Sequence, residues 1–161
     1  MTREDAYYQR IKLLCGDFES YDAWLNSYLQ NEDPLSDVVL KLVDCHGNIK
    51  DIEHVLNLFC LEKSFDEESV YERLRLEIWQ QYKEGILDKD NTMSRLFTLS
   101  GKIPFCHFQN CLAALSDYYC LAEEKILDME KFDVALEKWL RNGDDFSMED
   151  MFCEKKVKLS N

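Results

Sequence analysis

Two short stretches concentrate side chains that bind metals or act as nucleophiles. Residues 105–111 read Phe-Cys-His-Phe-Gln-Asn-Cys, and residues 44–48 read Asp-Cys-His-Gly-Asn. Structural zinc needs four thiolate or imidazole ligands converging on one point, and two of them usually come from a knuckle on a tight turn. The closest pair here, Cys106 and Cys111, has four intervening residues in a segment that reads as helix. Side chains at successive helical positions diverge by about 100°. Cys106 and His107 therefore point apart, and His107 shares a face only with Cys111, four residues on. Two ligands do not make a zinc site. A site joining Cys45 or His46 to His107 and Cys111 stays open as an alternative, as does a thiol enzyme using Cys106, His107 and Cys111. The thiol reading is weakened by the lack of a glycine-rich turn or oxyanion loop nearby.

Asp51 and His54 stand at i and i+3, as in the Glu-x-x-His motif of carboxylate di-metal bundles, but no second copy accompanies them. A solvated ion pair or a capping contact explains them. Walker, GxGxxG, HExxH and GxSxG patterns are all missing from the sequence. No catalytic residue, metal ligand or cofactor is assigned on this reading, and no enzyme is expected.

The elements that carry these residues read as helices. Only five Gly and two Pro punctuate 161 residues, which favours helix throughout. Tyr8, Ile11, Leu14 and Cys15 suggest a first helix, and Tyr21, Trp24, Leu25, Tyr28 and Leu29 a second. A third runs from Pro34, with Asp33 as cap, through Leu35, Val38, Val39, Leu42 and Val43 to Gly47. There His46 would cap the carbonyl end. The fourth starts at Asn48 and buries Ile52, Val55, Leu56 and Phe59. Ser64 and Glu67 have capping-box spacing ahead of a long fifth helix with Val70, Leu74, Ile78 and Tyr82 inward, ending at Gly85. Met93, Leu96 and Phe97 mark a sixth that stops by Gly101. After Pro104 a seventh presents Phe105, Phe108, Cys111, Leu112, Leu115, Tyr119 and Ala122. The eighth buries Met129, Phe132, Ala135, Leu136, Trp139 and Leu140 before Gly143. Residues 147–152 add a terminal turn, and 153–161 look frayed. The expected fold is all-α, a helical bundle or short array of antiparallel helix pairs with about seven or eight helices, in one domain over 1–161. The tripeptide Ile-Leu-Asp occurs at 86–88 and again at 126–128, forty residues apart, where Asp88 and Asp128 read as helix caps. A helical-repeat adaptor is thus a further alternative.

Composition limits the partners. With 32 acidic and 19 basic residues the formal charge is −13, which repels nucleic-acid phosphates and anionic membranes and favours a basic or neutral protein. No stretch approaches the roughly 18 apolar residues of a membrane span, and the N-terminal residues carry no signal-peptide pattern. A cytoplasmic location is expected, with the seven cysteines as free thiols. Residues 105–152 hold eleven acids against four bases. Asp117, Glu123, Glu124, Asp144, Asp145, Glu149 and Asp150, with Tyr118, Tyr119, Phe146 and Phe152 as exposed aromatics, form the candidate partner-binding surface.

In size, acidity and helix content, and in the segment Tyr82–Pro104 reading YKEGILDKDNTMSRLFTLSGKIP, the chain resembles the small immunity proteins that bacteria pair with polymorphic or contact-dependent toxins. That resemblance implies a non-catalytic protein that binds one cognate toxin, commonly a basic nuclease, and occludes its active site or nucleic-acid groove. It assigns no residue a role.

Overall fold

The structure, a computed structural model, describes residues 1–143. Within them the chain forms eight helices and no strand: α1 Arg3–Leu14, α2 Glu19–Asn31, α3 Asp37–Asp44, α4 Ile49–Leu61, α5 Glu67–Lys83, α6 Lys89–Ser100, α7 His107–Glu123 and α8 Met129–Asn142. The terminal turn and the frayed tail expected beyond Gly143 lie outside the described residues. The chain divides into two compact units, Met1–Leu74 and Arg75–Asn161, with the division falling inside α5.

In the first unit α1 and α4 pack antiparallel. Ala6, Ile11 and Leu13 meet a face bearing Ile52, Leu56 and Cys60, all buried. Two ion pairs set the direction, Arg10 to Glu53 at 2.8 Å and Arg3 to Glu62 at 3.0 Å. Burial pushes the Cys60 thiol up to about 11. Asp5 gathers three donors: Arg73 at 2.8 Å, Tyr28 at 3.0 Å and Thr2 at 3.0 Å. Partial burial would raise its carboxyl, but these bonds outweigh it and hold the group below the ordinary carboxylate value. By contrast, α2 buries a single residue, Tyr21.

In the second unit α6, α7 and α8 lie antiparallel in succession around Leu96, Leu112, Leu115, Phe132, Leu136 and Leu140. Arg75 is buried, and its guanidinium donates to the carbonyls of Trp139 and Leu140. These are among the last carbonyls of α8, at the negative end of its dipole, and the Trp139 carbonyl accepts from the Gly143 amide at 2.8 Å as well. Gly143 ends α8 at φ 69, and a Cβ there would stand 3.2 Å from Arg75 Nε. The left-handed backbone and the close guanidinium both disfavour a side chain there.

The forty-residue echo is a structural repeat. After α5, the amides of Glu84, Gly85, Ile86 and Leu87 donate to the carbonyls of Gln80, Tyr82, Gln81 and Gln81. After α7, those of Glu124, Lys125, Ile126 and Leu127 donate to Cys120, Ala122, Leu121 and Leu121. Every donor and acceptor is displaced by forty. Asp88 and Asp128 then cap α6 and α8 by accepting from Asn91 and Glu130 amides, as expected. A third copy, which the sequence did not disclose, is registered on Asn48, whose side chain accepts from the Lys50 amide at the start of α4. Leu56, Leu96 and Leu136 each occupy the same place, 0% exposed. Ile52, Thr92 and Phe132 are likewise all buried, as are Val38, Ile78 and Tyr118.

Several boundaries differ from expectation. α3 begins at Asp37 with Ser36 as N-cap, so Asp33 and Pro34 precede the helix. At its other end the His46 backbone, not its side chain, closes the turn by donating to Val43. Asp66 caps α5 by accepting from the Ser69 amide at 3.2 Å, a role expected of Ser64. α7 starts at His107 with Cys106 as N-cap. Phe105 consequently lies ahead of the helix and is 85% exposed, where the stripe had suggested an inward residue.

Two expectations follow. Gly85 (φ 71) and Lys125 (φ 60) are the same left-handed position of successive repeats, and space around Gly85 is open. Lys125→Gly should therefore raise stability and Gly85→Lys lower it, each by about 1 kcal/mol in urea unfolding. Because the Asp5 pKa is depressed on folding, its contribution is present above the unfolded value of about 3.9 and fades as pH falls through the lower folded value. The acid-induced loss of stability should be smaller in Asp5→Asn, measured by unfolding between neutral pH and about pH 2.

Candidate docking surface

Cys106 accepts from the Gln109 amide at 3.5 Å as the cap of α7, and Cys111 Sγ lies 3.8 Å from His107 Nε2. Cys111 is buried and His107 exposed. Cys45 Sγ donates to the Lys41 carbonyl at 3.2 Å. Burial, then the carboxylates of Asp51 and Asp44, push its thiol up, opposite to the shift an activated nucleophile needs. Among the described residues no three His, Cys, Asp or Glu side chains converge to hold a metal ion.

The residues proposed for partner binding separate into three groups. Asp144, Asp145, Phe146, Glu149 and Asp150, together with Phe152, lie outside the described residues. Tyr118 is not an exposed anchor: it is 2% exposed and its ring meets Phe132 edge-on at 5.2 Å. The inward stripe of α7 runs Cys111, Leu115, Tyr118 and Ala122. Tyr119 is half-buried and donates to Asp90 at 2.7 Å. Asp117, Glu123 and Glu124 are exposed, and the latter two open the turn between α7 and α8.

That turn does not stand alone. Lys89, the first residue of α6, reaches Asp133 on α8 with both oxygens in range, at 2.8 and 3.1 Å. Tyr119, near the end of α7, reaches back to Asp90. Those bonds draw the α5–α6 and α7–α8 turns to one edge of the second unit. Each presents the first residue of its Ile-Leu-Asp tripeptide outward: Ile86 is 67% exposed and Ile126 62%. The following leucines, Leu87 and Leu127, are only half-buried.

Acids surround the two isoleucines. Residues 82–90 and 122–131 together carry seven acidic and four basic side chains, and of the four Lys89 is already engaged by Asp133. Asp88 and Asp128 serve as caps, so their charge is fixed in direction at the helix starts. The result is a pair of apolar knobs in a negative surround, repeated at one spacing. Acidity is legible in the sequence, whereas the two isoleucines read there only as parts of turns between helices. The signal was there in the echo itself, which repeats an isoleucine where a turn needs none.

If Cys111 is only packing, Cys111→Ala should lower stability by roughly 1 kcal/mol in urea unfolding and leave any binding or catalytic property intact. Loss of an activity in a stably folded Cys111→Ala protein would instead mark the thiol as chemical. No protein-family model, curated protein or solved structure matches this chain.

Proposed function

We propose that the protein is a non-catalytic binding module that captures a basic partner protein on the edge formed by the α5–α6 and α7–α8 turns. The observation that carries this reading is the outward isoleucine at the same position of two successive repeats, Ile86 and Ile126, within an acidic surround. Exposed aliphatic side chains at a fixed spacing supply contact area for an interface core, and carboxylates around them speed encounter with a cationic surface and reject anionic ones. A formal charge of −13 acts in the same sense at longer range.

Within that class, the resemblance to toxin-neutralising immunity proteins names the partner: a cognate toxin domain, basic where it is a nuclease, blocked by occlusion of its active site or nucleic-acid groove. Such a role would be exercised in the cytoplasm. Among the described residues no helix is long and apolar enough to cross a membrane. A second reading, a helical-repeat adaptor, is favoured by the common register of Asn48, Asp88 and Asp128, since repeated hairpins present extended binding faces.

Co-expression with the toxic domain of a neighbouring gene, scored by growth rescue and co-purification, tests the first reading. Ile86→Asp with Ile126→Asp is expected to abolish rescue and reduce affinity by a factor of about 100 or more, with helical circular dichroism unchanged because both side chains are exposed. Undiminished rescue by that double variant would sink the proposal.

A further inference from the structure

A second surface lies wholly within the first unit. α3 and α4 leave between them an open groove of about 280 Å³. Its floor is apolar, made by Val38 of α3 with Val55, Leu58 and Phe59 of α4. Leu58 is 50% exposed there, although the helix has its own inward face of Ile52, Leu56 and Cys60. α4 is thus apolar on two sides: α1 covers one of them and lays the Arg3 guanidinium over the Phe59 ring at the edge of the other, leaving Leu58 open. A helix of a single unit that is apolar on an open side marks a contact surface.

Charge decides what the groove can receive. Residues 1–74 hold 16 acidic and 7 basic side chains, a net of −9, and no lysine or arginine occurs from residue 13 to residue 40. Two carboxylates line it, Glu62 paired with Arg3 at 3.0 Å and Asp37 with no side-chain hydrogen bond or ion pair among the described residues, and Asp44 and Asp51 stand at the far end of α3, where burial first and their charge second push the Cys45 thiol up. Lys41 is the one cation of the lining. A second copy of this chain would bring like charge against like. An amphipathic helix with lysines beside its apolar stripe satisfies both features, laying aliphatic side chains on the floor and ammonium groups against Asp37 and the acidic unit around the groove.

We infer that the α3–α4 groove is a docking site for a basic amphipathic helix of a partner protein, with Leu58 as its central apolar contact. This site is separate from the turn edge of the second unit and does not rest on the function proposed for it.

The probe is a short fluorescein-labelled helical peptide of leucine and lysine with one apolar stripe, alongside a peptide of identical composition whose leucines are scattered around the helix. Fluorescence anisotropy at physiological salt should show the striped peptide binding about tenfold more tightly than the scattered one. Leu58→Asp should weaken the striped peptide about tenfold or more although it adds an acid, which attraction by charge alone would convert into tighter binding. Leu58→Ser should weaken it in the same direction without altering charge, and circular dichroism should show both variants folded. The Ile86→Asp, Ile126→Asp double variant should bind the peptide as wild type does. Equal binding of the two peptides, no binding of either, or undiminished binding by Leu58→Asp and Leu58→Ser would overturn the assignment, whatever happens to growth rescue.

Discussion

The fold depends on complete removal of one leucine from water in each forty-residue hairpin. Leu56, Leu96 and Leu136 hold equivalent positions two turns after a capping residue, and each is fully enclosed. Truncating such a side chain typically destabilises by about 2–5 kcal/mol. The cap and the leucine fix one another: the cap sets where the helix begins, and eight residues later the helical period returns the leucine to the inward face. A slip of one residue would rotate the leucine by about 100° and expose it. Register along the sequence thus becomes register in space.

Ends are managed by different means in the two units. In the second, the Gly143 amide returns to the Trp139 carbonyl at the end of α8, and the buried Arg75 guanidinium donates to that carbonyl and to the one of Leu140. A fully charged group is tolerated there because the helix dipole and two carbonyl oxygens replace its water. In the first, Asp5 accepts from Arg73, Tyr28 and Thr2, joining α1, α2 and α5 through one carboxylate. Tyr28 responds in kind, its hydroxyl pushed up to about 12 by burial and then by its bond to Asp5.

Much of the fold was legible because the helices are long, apolar on one stripe and punctuated by few breakers. Errors arose where two local rules competed. Pro34 suits a first helical turn, yet the backbone is still extended at Ser36 and the helix begins at Asp37. On α7, the pair Tyr118 and Tyr119 gave no local reason to choose between stripes differing by one position, and packing against Phe132 placed Tyr118 inside. The third repeat was hidden because its turn, Cys45 to Asn48, matches neither Glu-Gly-Ile-Leu-Asp nor Glu-Lys-Ile-Leu-Asp at any equivalent position. It shares only the cap and the burial on either side of it. The candidate surface was half legible: charge shows in composition, but exposure of Ile86 and Ile126 depends on which of two adjacent aliphatic residues the turn directs outward.

That division of labour within the Ile-Leu-Asp tripeptide has a consequence for change over generations. The aspartate and the distant leucine hold the hairpin together, while the isoleucine contributes nothing to the enclosed core. Substitutions at residues 86 and 126 would alter the proposed docking edge with almost no penalty to folding. A lineage under pressure to follow a shifting partner would accumulate differences at those two sites first, and two distant descendants could keep one architecture while recognising unrelated surfaces.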